Sequence, residues 1–189
     1  KKGATYNIYR NDSERGVYDK INANPHPVGV YSDFTGRNGR KYFYKVSEIV
    51  GKGKERYIVP KPVSARTRQM KDAELVTSIQ EATFRYFWDY AHPVSGLTRE
   101  RYFGQFDGCA SGGSGFGLLA IMIGAERGFV LREEAAQRVL TISRFLEKAD
   151  RYHGAWAHWI NGSTGRTINF SRTDDGADIV ETALLMQGL

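Results

Sequence analysis

The sequence predicts a chain of two unlike halves, a β-sandwich-type module over residues 1–68 and an all-helical module over residues 69–189. Three observations predict it. Apolar residues alternate with a period of two in the first half and switch to helical spacing near Asp72. The charge reverses at the same place: residues 1–70 hold 15 Lys and Arg against 6 Asp and Glu, and residues 71–189 hold 12 against 15. The joins also change, from short turn clusters to two long segments, 92–113 and 151–174.

In the first half, "ATYNIYR" alternates around Tyr6 and Ile8, and "GVYDKI" and "VGVYSDF" are shorter runs of the same kind. "KYFYKVSEIV" is the strongest, with Tyr42, Tyr44 and Val46 on one face and Phe43 and Lys45 on the other. "RYIVPKPVSAR" is the last, and its Pro60 and Pro62 suit an edge strand, because proline cannot donate to a sheet ladder. Asn11-Asp12, Pro25 and Pro27, "TGRNG" and "GKGK" supply the turns.

In the second half, "KDAELVTSIQEATFRYFWDYAH" takes Asp72 as N-cap, repeats Leu75, Ile79, Ala82, Tyr86 and Tyr90 at helical spacing, and stops at His92-Pro93. "GFGLLAIMIGAERG" is almost wholly apolar, which predicts burial all round, with Gly128 closing it. "REEAAQRVLTISRFLEKAD" is amphipathic, with Leu131, Ala135, Val139, Ile142 and Leu146 on one face and Glu133 and Glu134 at the positive end of the helix. A fourth helix is expected to begin near Asp175 and to be running still at Leu189. An apolar helix followed by an amphipathic one suggests inner and outer helices of a layered array.

Composition excludes several classes. Hydrophobic residues at 41% and aromatics at 13% are enough for packed cores, so the chain is not disordered. The single cysteine, Cys109, allows no internal disulfide and no CxxC zinc pattern. No apolar run approaches a membrane span. The basic residues of the first half form no dense run and no nucleic-acid-binding motif, so no nucleic-acid partner is expected. "GFGLLA" fits the dinucleotide pattern GxGxxA, but "CASGGS" before it does not read as a strand, so close helix packing explains its glycines better. His26, His92, His153 and His158 show no metal-ligand spacing, and neither a metal nor a cofactor is expected.

Two stretches carry chemistry. "HGAWAHWINGSTGR" sets Trp156 and Trp159 around His158; indoles can stack on the C–H faces of sugars or anchor the loop to a core, and His158 can offer a polar contact or serve the fold. "TDDGADIVETALLMQGL" places Asp174, Asp178 and Glu181 at i, i+4 and i+7, one face of a helix. Caps explain one or two of these acids. Three on one face, leading into an apolar run, also fit a site where one carboxyl is held protonated and another ionised, as glycoside hydrolysis requires.

"YNIYRN", "YSDFTGRNGRKYFYKVSEIVGKG" and "VSAR" resemble the later strands of a fibronectin type III domain. "YFWDYAHPVSGLTRER", "CASGGSGFGLLA", "ERGFV", "HGAWAHWINGSTGR" and "DDGADIVETALLMQGL" resemble, in this order, the glycoamylase-like family of bacterial glycoside hydrolases, which includes endo-β-1,2-glucanases. The resemblances imply a partial fibronectin III-like β-sandwich followed by the first helices of an (α/α)6 toroid, in a chain cut at both ends. They imply that Asp174, Asp178 and Glu181 line a sugar-binding cleft and that the proton-donating glutamate lies beyond Leu189; Asp178, Glu181 and Asp174 are the catalytic candidates, and Trp156, Trp159 and His158 the substrate-binding ones. The expected function is inverting, endo-acting hydrolysis of β-1,2-glucan. The expected enzyme is monomeric and periplasmic or cell-surface, with a lipoprotein anchor as an upstream option, and this stretch alone is expected to be inactive. A non-catalytic carbohydrate-binding surface protein on the same fold remains the alternative, with the β module as a spacer.

Overall fold

The structure is a computed structural model that describes residues 4–27, 30–59, 61–101 and 107–189. It divides into two compact units, Lys1–Glu74 and Leu75–Leu189. Among the described residues no helix is long and apolar enough to cross a membrane.

The first unit is an antiparallel sheet. Strand β1 (Thr5–Asn11) pairs along its length with β3 (Lys41–Val50), with Ile8 opposite Val46, and β2 (Asp19–Lys20) adds to its other edge. The expected last strand is two pieces, β4 (Lys54–Tyr57) and β5 (Val63–Arg66), both paired with β3. The break between them contains Pro62, and Pro60 lies outside the described residues. The run "VGVYSDF" departs from expectation: residues 30–34 form no strand, and Val28 and Gly29 are outside the described residues. Side chains hold this segment in place of a ladder. Asp33 accepts from Arg10 at 2.8 Å and from the Tyr44 hydroxyl at 2.9 Å, and Tyr31 donates to the Ile21 carbonyl. Buried Asn22 stands in for a strand neighbour, accepting from Ile8 N–H and donating to the Tyr6 carbonyl.

The second unit carries helix α2 (Ser111–Glu126), α3 (Arg132–Lys148), α4 (Ile179–Gly188) and most of α1 (Asp72–Asp89). Asp72 opens α1 as its first residue and is not its cap; the Glu74 carboxylate takes the Lys71 N–H instead. The Leu75–Ile79–Ala82 stripe is exposed, and the buried residue of α1 is Phe84, stacked on Trp88 with ring centroids 5.7 Å apart. Gly124 of α2 decides this: a Cβ there would run into the Phe84 ring. Helix α2 is buried on one side only; Phe116, Met122 and Ile123 are exposed. Gly128 follows it at φ 72°, where Phe129 N–H reaches back to the Gly124 carbonyl, a left-handed C-terminal closure. Helix α3 buries Ala135, Ile142 and Leu146 as its pattern predicts, while Leu131 stays exposed at its N-cap.

The long joins are not structureless. Strands β6 (Gly108–Ala110), β9 (Trp159–Asn161) and β10 (Thr167–Ile168) form one small sheet, and β7 (Arg151–Tyr152) with β8 (Ala155–Trp156) forms a hairpin. The hairpin turns at His153-Gly154, both at positive φ, as a two-residue turn demands. A strand therefore does precede α2. Even so, Gly115 and Gly117 sit inside the helix, against the Leu184 carbonyl and Thr98, and not at the strand–helix turn where a phosphate would be cradled. Cβ atoms at Gly115 or Gly188 would strike the facing backbone, so these glycines let α2 and α4 lie in close contact. Leu97, Leu118, Ile142, Leu146, Ile160 and Leu185 form the core around them.

Candidate active site

The site is built where the N-termini of α2 and α4 meet the β8–β9 segment. The first N–H groups of a helix have no partner within it and carry partial positive charge. Helix α2 has no capping side chain of its own and no acid in its first turn. Its Ser111 N–H donates to the His158 carbonyl at 3.1 Å, and its Gly112 N–H donates to Glu181 Oε2 at 2.8 Å. Glu181 is thus a cap supplied to α2 by the neighbouring helix. Gly112 must be small for this, since a Cβ there would lie 2.7 Å from Glu181 Oε2.

Helix α4 starts four residues later than expected, and Asp178 is its N-cap. Asp178 Oδ1 accepts from Val180 N–H at 2.9 Å and Glu181 N–H at 3.0 Å. No reciprocal capping box forms, because Glu181 serves Gly112 while Asp178 N–H donates to the Trp156 carbonyl. Thr182 Oγ1 accepts from Trp156 N–H and donates to the Trp156 carbonyl, which pins β8 to the first turn of α4.

The second oxygen of Asp178 meets a ring. Asp178 Oδ2 lies 3.2 Å from His158 Nδ1. The Glu181 amide, the His158 ring and the Val180 amide hold the Asp178 carboxyl below its usual range, against an opposing effect of burial. Asp178 is therefore the ionised acid of the group and not the one kept protonated. Phe170 stacks on His158 with centroids 4.1 Å apart and meets Trp159 at 4.8 Å and 61°.

Asp174 is not on the helix, so shared helical face is the wrong reason for its grouping with Asp178. The loop brings it in: its carbonyl accepts from Phe170 and Ser171 N–H groups, and its carboxylate lies with His158 and Asp178 so that one ligand atom from each falls within 4.8 Å of the others. Three such donors have the spacing of a metal site, and the two hydrogen bonds to Phe170 and Ser171 explain the same closeness as a loop closure. Trp156 and Trp159 part company. Trp156 is buried, with its indole N–H on the Leu146 carbonyl, so it anchors the hairpin to the core. Trp159 is half-buried beside His158. Phe170 escaped the sequence reading; a lone aromatic in the polar stretch "TINFSRTDDG" was the available signal.

A second histidine–aspartate pair lies apart. Buried His92 donates from Nε2 to Asp107 at 2.7 Å and accepts at Nδ1 from Val94 and Ser95 N–H groups, so both ring nitrogens serve the fold.

Carboxylates anchored at helix N-termini beside an aromatic wall combine a few placed polar groups with an apolar surface, as small-ligand sites do. The chain's homologues are bacterial β-1,2-glucanases and glucoamylase-like glycoside hydrolases, the latter including a glucoamylase-type protein of Bacteroides uniformis at 58% identity and a TM-score of 0.62, over 64% of this chain and 30% of its own. An exo-β-1,2-glucooligosaccharide sophorohydrolase (non-reducing end) of Parabacteroides distasonis is 46% identical over 186 residues, 97% of this chain and 25% of that protein. The crystal structure of a β-1,2-glucanase from Parabacteroides distasonis superposes with a TM-score of 0.87 at 45% identity, over 97% of this chain and 26% of the other. An endo-β-1,2-glucanase from Chitinophaga pinensis, solved with sophorotriose and glucose, matches at 46% identity and a TM-score of 0.61, over 64% of this chain and 30% of its own. The chain thus spans about a quarter of the length of the first relatives it matches. No family model matches it.

Proposed function

We propose that the chain belongs to a glycoside hydrolase that cleaves β-1,2-linked glucan, and that it contributes part of the sugar-binding cleft. The observation that carries the reading is the convergence of Asp174, Asp178, His158 and Phe170 at the α4 N-terminus, in a chain 46% identical to a β-1,2-glucooligosaccharide hydrolase. Trp159 and Phe170 offer apolar faces to sugar rings, while the acids and His158 offer acceptors to hydroxyls.

The exposed faces of α1 and α2 support an (α/α)6 toroid in which further helices cover them, and the β2-β1-β3-β4 order supports one sheet of a fibronectin type III-like sandwich. Inverting hydrolysis uses a protonated acid on the glycosidic oxygen and a carboxylate that activates water. Asp178, ionised and with its oxygens committed to two backbone amides and His158, is not the proton donor, and its place is beside the cleft as a support for His158. The test is product analysis of the complete protein on linkage-defined glucans. Release of reducing ends from β-1,2-glucan, well above that from β-1,3- and β-1,4-glucans, supports hydrolysis. Tight binding of β-1,2-glucan without release would instead support a non-catalytic binding protein.

A further inference from the structure

We infer that His158 Nε2 is the acceptor presented to a hydroxyl of the bound glucan, and that Asp178 acts as its positioning residue. The inference rests on the proposed glucan-binding role of this cleft. It starts from how Asp178 is occupied. Oδ1 takes two backbone N–H groups and Oδ2 faces His158 Nδ1, so three donors surround one carboxylate. A carboxylate held ionised can only accept, so the proton between it and the imidazole belongs to His158 Nδ1. In the neutral ring that leaves the lone pair on Nε2.

The ring cannot easily turn to undo this. Phe170 stacks on one face at 28° between planes, and Trp159 stands at 89° to the ring. The His158 backbone carbonyl is fixed by the Ser111 N–H of α2. The chain thus fixes the His158 backbone through α2, the ring at Nδ1 through the cap of α4, and the ring plane through Phe170. Among the described residues what remains is an edge with one directed acceptor beside an aromatic surface, with the Asp174 carboxylate also near the ring, which matches a sugar: C–H face to the aromatics, one hydroxyl to Nε2.

The substitution that isolates this is Asp178→Asn. An asparagine carbonyl caps a helix about as well as aspartate. Its amide nitrogen then turns a donor toward Nδ1, which favours the Nε2–H tautomer and replaces the presented acceptor by a donor. An orienting aspartate replaced by asparagine is known to mis-set a histidine in this way. Imidazole nitrogen NMR on histidine-labelled protein should show the Nδ1–H tautomer for wild-type His158 and the Nε2–H tautomer in D178N, with thermal unfolding little changed. In the complete protein, D178N and His158→Ala should each raise KM for β-1,2-linked glucooligosaccharides by at least about tenfold, with a smaller change in kcat, as expected for loss of a buried acceptor. An Nε2–H tautomer in the wild type, or an unchanged tautomer in D178N, overturns the inference. So does an unchanged KM in H158A while the wild type hydrolyses the substrate. Failure of the wild type to release any sugar from β-1,2-glucan overturns instead the reading on which the inference rests.

Discussion

Glu181→Ala should unfold the helical unit more easily, and the structure says by how much. The substitution leaves the Gly112 N–H buried at the α2 N-terminus without the carboxylate it reaches at 2.8 Å. An unsatisfied buried donor costs about 1–3 kcal/mol, and losing an acid from a helix N-terminus adds roughly 0.3–1 kcal/mol. We expect about 2 kcal/mol in total, which at a urea m-value of about 1–3 kcal/mol per molar moves the midpoint by roughly 1 M. Glu181→Gln keeps an oxygen for the N–H and should lose less than about half of that. Gly112→Ala adds the second arm, because its Cβ would sit 2.7 Å from Glu181 Oε2 and 3.1 Å from Leu184 Cδ1. In wild type it should destabilise by about 1–2 kcal/mol despite alanine's better helix propensity of roughly 1 kcal/mol. In the E181A background the clash with the carboxylate is gone, and G112A should be close to neutral. The assay is urea unfolding of the four proteins as a double-mutant cycle. Additive losses, or an E181A midpoint equal to wild type, would refute the cross-helix cap.

Other consequences are separate. The folded pKa of Asp178 lies below its unfolded value of about 3.9, so its contribution to stability is complete above roughly pH 5 and is lost as pH falls through the folded value. Acid titration of unfolding should therefore show wild type losing stability relative to D178N as pH drops below about 4; parallel acid curves for the two proteins contradict the assigned hydrogen bonds. Gly124→Ala drives a Cβ into the buried Phe84 ring and should cost about 1–3 kcal/mol, read as a lower denaturation midpoint with α1 loosened in hydrogen exchange. Cys109 is buried at 0% exposure and burial pushes its thiol up to about 12, so a thiol reagent should label it only as fast as the protein opens. Rapid labelling of native protein would contradict that placement.

Periodicity made the change from strands to helices, the four helices and the strands β1 and β3 legible, because each is set by which residues must leave water. The exposed stripe of α1 shows where that signal fails. Leu75 and Ile79 look like a buried face, but Gly124 makes room for Phe84, and sequence spacing does not report on a neighbour's missing side chain. Segment 30–34 looks like a strand and is held instead by the Asp33 and Tyr31 side chains. The acids were legible as a group. Asp178 and Glu181 prove to be caps of two different helices, a role that depends on α2 arriving beside α4 and so is absent from local sequence. Asp174 joins them through a loop and not through helical spacing. Of the two tryptophans, burial alone separates the anchor, Trp156, from the residue of the aromatic wall, Trp159.

Capping and cleft chemistry are therefore not rival explanations of the terminal acids. Each carboxylate uses one oxygen to settle a helix N-terminus: Asp178 Oδ1 on α4 and Glu181 Oε2 on α2. Anchored in that way, an acid loses little further freedom when it positions a neighbour or a ligand, which is how rigid supports improve a binding site.

The most direct measurement is a crystal structure of the complete protein with a β-1,2-linked glucooligosaccharide bound. The account predicts a glucose ring against Trp159 and Phe170, with one of its hydroxyls within hydrogen-bond distance of His158 Nε2 and Asp178 still bound to the Val180 and Glu181 amides. A sugar chain that leaves Phe170 and His158 untouched, or an Asp178 that abandons its helix cap to contact the ligand directly, would contradict it.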